Sequence, residues 1–193
     1  MTKRRSPAGA DGGAGVGGRR TAAKKRNRLI TRAYIGLGSN LDDPRAHVER
    51  ALGELAALPC VSLLAASPLY RSRPMGPQDQ PDFVNAVACL ETTRSPARLL
   101  AELQRLEAVH GRTRNDVRWG PRPLDLDLLI FGLARINTAD LTVPHPGLAA
   151  RNFVLYPLAD IAPHDLRVPG FGRLGSLLGR VNDGDLEKLG AGE

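Results

Sequence analysis

Apolar and polar positions fall into six patterned segments between residues 32 and 131. Arg32–Leu37 is rich in β-formers and predicts a short strand, ended by Gly36-Leu37-Gly38-Ser39-Asn40, which reads as a turn cluster. Asp43 stands where a helix cap belongs, with Pro44 at the first helical position. Val48, Leu52, Leu55 and Leu58 then recur at helical spacing until Pro59. Val61–Ala66 predicts the second strand. Pro68 to Pro81 holds four prolines and a glycine and predicts a long, stiff loop. Asp82–Glu91 alternates and predicts a third strand. Ser95 caps a second helix, with Pro96 in its first turn and Leu99, Leu103 and Leu106 as its buried stripe. Gly111 sits where a C-terminal cap belongs, and Gly111–Pro123 predicts a second long loop. Leu124–Phe131 predicts the fourth strand. The remainder reads as short elements and turns.

Strand, helix, strand, strand, helix, strand is the split βαβ, ferredoxin-like order. It predicts an α+β sandwich: a mainly antiparallel sheet with helices packed on one face. The two long loops should lie near the sheet edge. A chain of 193 residues is long enough to bury a core without disulfide or metal staples. No internal repeat is visible.

Charge refines this picture. The chain has 27 basic and 20 acidic residues, but residues 1–28 alone hold nine Lys and Arg against Asp11. The rest has 18 basic and 19 acidic side chains, so the net positive charge belongs to the N-terminal segment. That segment is rich in Gly and Ala and too poor in apolar residues to offset its chain entropy, so it is expected to be a disordered basic tail ahead of one domain spanning 29–193. Weak, salt-sensitive contact with polyanions is all it predicts, and no specific nucleic acid is expected. No apolar stretch follows those charges, which argues against a secretory signal. No apolar run is long enough to span a membrane. Cys60 and Cys89 lack metal-ligand spacing, and a reducing cytoplasm fits them best.

Asp125-Leu126-Asp127 is the leading candidate for chemistry. Side chains two apart in a strand share a face, so both carboxylates project together. They would repel unless a cation or arginines sat between them; spacing alone leaves both open. Arg112, Arg114, Arg118 and Arg122 lie just upstream, with Asp116 as the sole acid among them. Guanidinium forks match phosphate oxygens, and magnesium prefers carboxylate plus phosphate oxygens, so this loop and strand suit a nucleotide–Mg²⁺ site. Phe83 and Asn85 also share a face and could stack on and hydrogen-bond a flat heterocycle, although a core Phe beside an edge Asn is the plainer reading. His145, between Pro144 and Pro146, could touch a phosphate or base. No P-loop motif is present.

Four motifs in order then resemble one family: Tyr34–Leu41 (YIGLGSNL), Gly76–Asn85 (GPQDQPDFVN), Arg118–Asp127 (RWGPRPLDLD) and Val143–Pro146 (VPHP). From about Ala33 to about Pro163 the chain is similar to 6-hydroxymethyl-7,8-dihydropterin pyrophosphokinases, enzymes of folate synthesis. The resemblance implies transfer of pyrophosphate from ATP to hydroxymethyl-dihydropterin, with AMP as the leaving group. It implies two Mg²⁺ ions on Asp125 and Asp127, with Arg112 and Arg122 assisting transfer. It assigns Gln104, Arg114, Trp119, Thr142, His145 and Arg151 to ATP. Ser72, Met75, Phe83, Asn85, Trp119 and Phe153 fall to the pterin, which would stack between Phe83 and Phe153. Trp119 would ride on a closing loop, and a monomer is expected. Asn115, Asp140 and Pro146 stand where some members carry Lys, Arg and Tyr, and Phe83 where some carry Tyr.

Overall fold

The computed structural model describes residues 29–112 and 120–190. Strand β1 (Thr31–Ser39) leads into helix α1 (Pro44–Ala56), then strands β2 (Val61–Ala66), β3 (Tyr70–Ser72) and β4 (Phe83–Thr92). Helix α2 (Pro96–Val109) and strand β5 (Asp125–Phe131) complete the split βαβ unit. Two helix starts follow the sequence signals. The Asp43 carboxylate accepts from the Ala46 amide and the Ser95 hydroxyl from the Arg98 amide, each cap worth about 1 kcal/mol. Gly111, at φ +95°, takes the left-handed position just past α2.

The central sheet runs β3-β4-β1-β5, every pair antiparallel, with β2 on the other end of β4. α1 packs on β1 and β4, and α2 on β5. Their buried stripes, including Val48, Leu55, Leu99 and Leu103, close one core against Ile35, Leu37, Ala86, Ala88 and Leu126. This is the ferredoxin-like arrangement, with both helices of the unit on one face as predicted.

Three features depart from the sequence reading. Gly36-Leu37-Gly38-Ser39 is not a turn: β1 continues through it to Ser39. The loop from Pro68 contains β3, which pairs with the start of β4. The C-terminal third is more structured than short turns. After β6 (Ile136–Asn137), β7 (Thr142–Val143) and a 3-10 turn at Leu148–Ala150, helix α3 (Asn152–Ile161) packs on β4. With β8 (Arg167–Val168), β9 (Gly172–Arg173) and α4 (Leu174–Leu178) it builds a second core over Tyr34, Val87, Cys89 and Leu129, the opposite sheet face. β10 (Glu187–Lys188) closes the sheet along β3. α3 carries Pro157 in its interior and no side-chain cap at its start, so the punctuation that marks α1 and α2 is missing. Its first turn supplies Phe153 to the site.

Candidate active site

Residues facing one another across an antiparallel pair share a sheet face. One row across the sheet is therefore Tyr70, Asn85, Gly38 and Asp125. The next row is Val87, Gly36 and Asp127, and on the other side Ser72 lies opposite Phe83. The sequence thus places Ser72, Phe83, Asn85, Asp125 and Asp127 on one floor, the face covered by α3. Gly36 and Gly38 keep that floor low. A Cβ on Gly38 would lie 3.3 Å from Asn85 Oδ1, and one on Gly36 3.4 Å from the Leu129 side chain. The "turn" glycines are thus the unobstructed middle of the site.

A cavity of about 480 Å³ stands on this floor, lined among others by Ser72, Met75, Phe83, Asn85, Arg112, Arg122, Asp125, Asp127, His145, Arg151 and Phe153. Eleven of the predicted site residues therefore converge. Gln104 does not join them. It lines a second cavity of about 540 Å³ with Ala101, Asp140 and Leu141, between α2 and the β6–β7 hairpin. Thr142 is exposed on β7, its hydroxyl 3.5 Å from Asn137 Oδ1. Arg114 and Trp119, with Asn115 and Arg118, lie outside the described residues.

The carboxylates are embedded in cations. Arg112 Nη1 donates to Asp125 Oδ1 at 2.6 Å, and Arg122 Nη1 lies 3.3 Å from Asp125 Oδ2. Arg151 Nη1 and His145 Nε2 lie 3.4 and 3.6 Å from Asp127 Oδ2. The Gly147 amide donates to His145 Nδ1, which leaves Nε2 as the protonated nitrogen of the neutral ring. Burial holds the His145 pKa below its usual value, with Arg151 adding to the effect, and the two aspartates oppose it. Burial raises the Asp127 pKa, and repulsion from Asp125 adds to it against His145 and Arg151. Asn40 pins the arginine loop: its Oδ1 accepts from the Arg122 amide at 2.8 Å, while its Nδ2 donates to Gln80 Oε1 and the Pro81 carbonyl. Asn85 Nδ2 donates to Ser72 Oγ at 2.9 Å, so the amide's orientation is fixed.

Glu107 is the residue that sequence reading missed. It sits on the buried side of α2, and its Oε1 accepts both from Arg112 Nη1 and from the Leu126 amide, between the two aspartates. Burial pushes its pKa up to about 7, against the opposing pull of the Leu126 amide and Arg112. For Arg112 the balance is reversed: burial opposes its charge, but Asp125 and Glu107 outweigh it. The guanidinium keeps its proton throughout the working range, so only Glu107 titrates. Between pH 4.5 and 7 the folded protein holds this proton more tightly than the unfolded chain. Glu107's contribution to stability is therefore full below that window and lost as pH rises through it. Glu107→Gln should flatten thermal stability against pH in that window; an unchanged slope in melting scans would contradict the assignment.

The two aspartates also fit magnesium. They share a face, one is destabilised by burial and by the other, and the groups around them can pair with phosphate instead. Among the described residues no cluster of three His, Cys, Asp or Glu could hold a metal. Magnesium is commonly held by one or two carboxylates, with substrate phosphates and water filling its shell.

The cavity on this ferredoxin-like sheet brings together a carboxylate pair, arginines and two aromatic rings, groups whose chemistry suits phosphate and a flat heterocycle. The sequence profile of the family described as 7,8-dihydro-6-hydroxymethylpterin-pyrophosphokinase matches residues 34–163. The 2-amino-4-hydroxy-6-hydroxymethyldihydropteridine pyrophosphokinase of Pseudomonas aeruginosa is 50% identical over 161 residues, 83% of this chain and 98% of that one. The Haemophilus influenzae protein of the same name is 46% identical, over 83% and 99%. A Plasmodium falciparum HPPK-DHPS structure superposes with a TM-score of 0.63 at 14% identity, covering 80% of this chain and 42% of that one, and shows the shared fold. The chain belongs to the 7,8-dihydro-6-hydroxymethylpterin pyrophosphokinase family. The likeness to the bacterial relatives spans 161 residues and is longer than the stretch from Ala33 to Pro163 that the motifs mark.

Proposed function

We propose that this site transfers the pyrophosphoryl group of ATP to the hydroxymethyl oxygen of 6-hydroxymethyl-7,8-dihydropterin, releasing AMP, as a step of folate biosynthesis. One observation supports this most: the aspartate pair and the Phe83–Asn85 pair stand on one sheet face, in one cavity with Phe153. The pterin ring lies between Phe83 and Phe153, with Asn85, held by Ser72, reading its polar edge, and Met75 at the mouth. The nucleotide's adenosine end takes the second cavity with Gln104 and the neighbouring Thr142, where Asp140 replaces the basic residue of some relatives. Its phosphates run toward Asp125 and Asp127.

Asp125 and Asp127 would hold two magnesium ions, which would supply charge neutralisation for the phosphate chain and stabilise the attacking and leaving oxygens. With Asp125 so engaged, Arg112 and Arg122 turn their forks to phosphate oxygens. His145 and Arg151 serve the phosphates beside Asp127, His145 as a neutral donor through Nε2. The hydroxymethyl oxygen bonds to the β-phosphorus, the bond from that phosphorus to the α–β bridging oxygen breaks, and AMP departs with that oxygen. The hydroxyl proton goes to solvent. Arg114 and Trp119, which lie outside the described residues, are assigned to ATP by the family resemblance alone.

The basic segment 1–28 lies outside the described residues, and the catalytic domain is taken as 29–193. The described domain has no helix long and apolar enough to cross a membrane. Its two cysteines are free thiols, in keeping with a cytoplasmic, monomeric enzyme. AMP formation should require the pterin. In the same assay Phe153→Ala should raise the pterin KM about tenfold or more, from stacking worth about 1–3 kcal/mol, with the ATP KM unchanged. AMP release independent of the pterin would sink this reading.

A further inference from the structure

The two walls of the pterin slot come from different elements. Phe83 stands beside β3 at the start of β4, and Phe153 stands on α3. α3 packs directly on β4, and a third piece of chain, residues 182–190, contacts both β3 and α3. Along β3, β10 pairs Glu187 with Arg71 and Lys188 with Tyr70, and the Leu189 amide donates to the Leu69 carbonyl at 2.8 Å. Leu189 itself is buried in the core below. Along α3, Lys188 Nζ lies 3.0 Å from Asp160 Oδ1, whose other oxygen accepts from the Tyr70 hydroxyl at 2.6 Å. At the start of α3, Asn152 Nδ2 donates to the carbonyls of Asn182 and Asp183, one residue before Phe153. Arg71 pairs with Glu187 at 2.9 Å, and Arg73, which lines the cavity, with Asp185 at 3.4 Å. The segment thus grips β3, the loop that follows it and both ends of α3, and none of its residues lines the cavity.

We propose that the C-terminal segment 182–190 is a strap that sets the width of the slot between Phe83 and Phe153, and with it the affinity for the pterin. This rests on the pterin lying in that slot. Glu187, Lys188 and Asp185 are positioning residues, acting through β3 and α3. The ion pairs are exposed, and each alone contributes little. Reversing a charge replaces attraction with repulsion and moves the strap without deleting Leu189 or the backbone pairing.

The test is a charge swap on the full chain. Glu187→Arg sets two guanidiniums against each other and should raise the pterin KM by roughly three- to tenfold, as expected from about 1 kcal/mol. The ATP KM and kcat should stay within about twofold of wild type. Amide exchange across residues 70–82 should quicken. Arg71→Glu with Glu187→Arg restores an opposite pair and should return both readouts to wild type. An unaltered KM and exchange in Glu187→Arg would overturn the strap, and so would losses that the swap does not restore. Phe153→Ala, measured alongside, separates the two levels. If Phe153→Ala raises the pterin KM and Glu187→Arg does not, the strap fails alone. If Phe153→Ala has no effect, the slot assignment fails, and with it the claim on affinity.

Discussion

Asp127→Ala should lower the rate of AMP formation by about three orders of magnitude or more while the protein stays folded. The loss follows from charge. Two carboxylates on one face can hold the cations that neutralise a triphosphate, an effect worth several kcal/mol, and each 1.4 kcal/mol or so is tenfold in rate. The fold should survive because Asp127 is not a net stabiliser. Burial and Asp125 both disfavour its charged form, and only His145, Arg151 and Arg112 offset them. Removing one member of the pair therefore relieves repulsion. A melting temperature near wild type beside lost turnover is the expected result. Near-normal turnover would remove Asp127 from the metal site.

Arg112→Ala should be costly in both respects. Arg112 Nη1 bridges Glu107 and Asp125, so one guanidinium ties α2 to β5 at the edge of the cavity. Its loss leaves a buried carboxylate without its cation, which should lower stability by about 1–3 kcal/mol. It also removes a donor aimed at developing charge, which should cost roughly 10²–10³ in kcat. Arg112→Lys should recover part of the stability, because an ammonium can also donate to both carboxylates, and little of the rate, because it lacks the planar guanidinium fork for phosphate oxygens. Urea melts and kcat measured on both variants check this; equal rates in Lys and wild type would contradict the role of the fork.

The sequence announced its helices and its chemistry in different ways. Asp43-Pro44 and Ser95-Pro96 mark α1 and α2 because a cap and a proline act locally, within one turn. Asp125 and Asp127 could be placed on one face because strand period is fixed by backbone geometry. Gly36 and Gly38 were misread for a related reason. Glycine is permissive, and only the pairing of β1 with β4 and β5 reveals that these two are strand residues, with Asn85 and Leu129 leaving little room for a side chain. β3 is three residues long and set among prolines, so its pairing with β4 is a tertiary fact. Helix α3 hides behind Pro157, yet it supplies one wall of the slot. Glu107 carries no local signal that separates it from any other acid on a helix. Its meaning comes from β5 approaching α2 and presenting the Leu126 amide, which no local pattern encodes. Gln104 and Thr142 lie outside the cavity with the aspartates, Gln104 on a second cavity and Thr142 exposed on β7.

The central claim is that the aspartate pair and the slot act together on one bond, between the β-phosphorus and the α–β bridging oxygen. A single-turnover reaction with ATP radiolabelled at the β-phosphorus tests it most directly. The label should leave on the pterin as its diphosphate, with unlabelled AMP formed in equal amount, and only when magnesium and hydroxymethyl-dihydropterin are both present. Label recovered in ADP, or released at the same rate without the pterin, would contradict it.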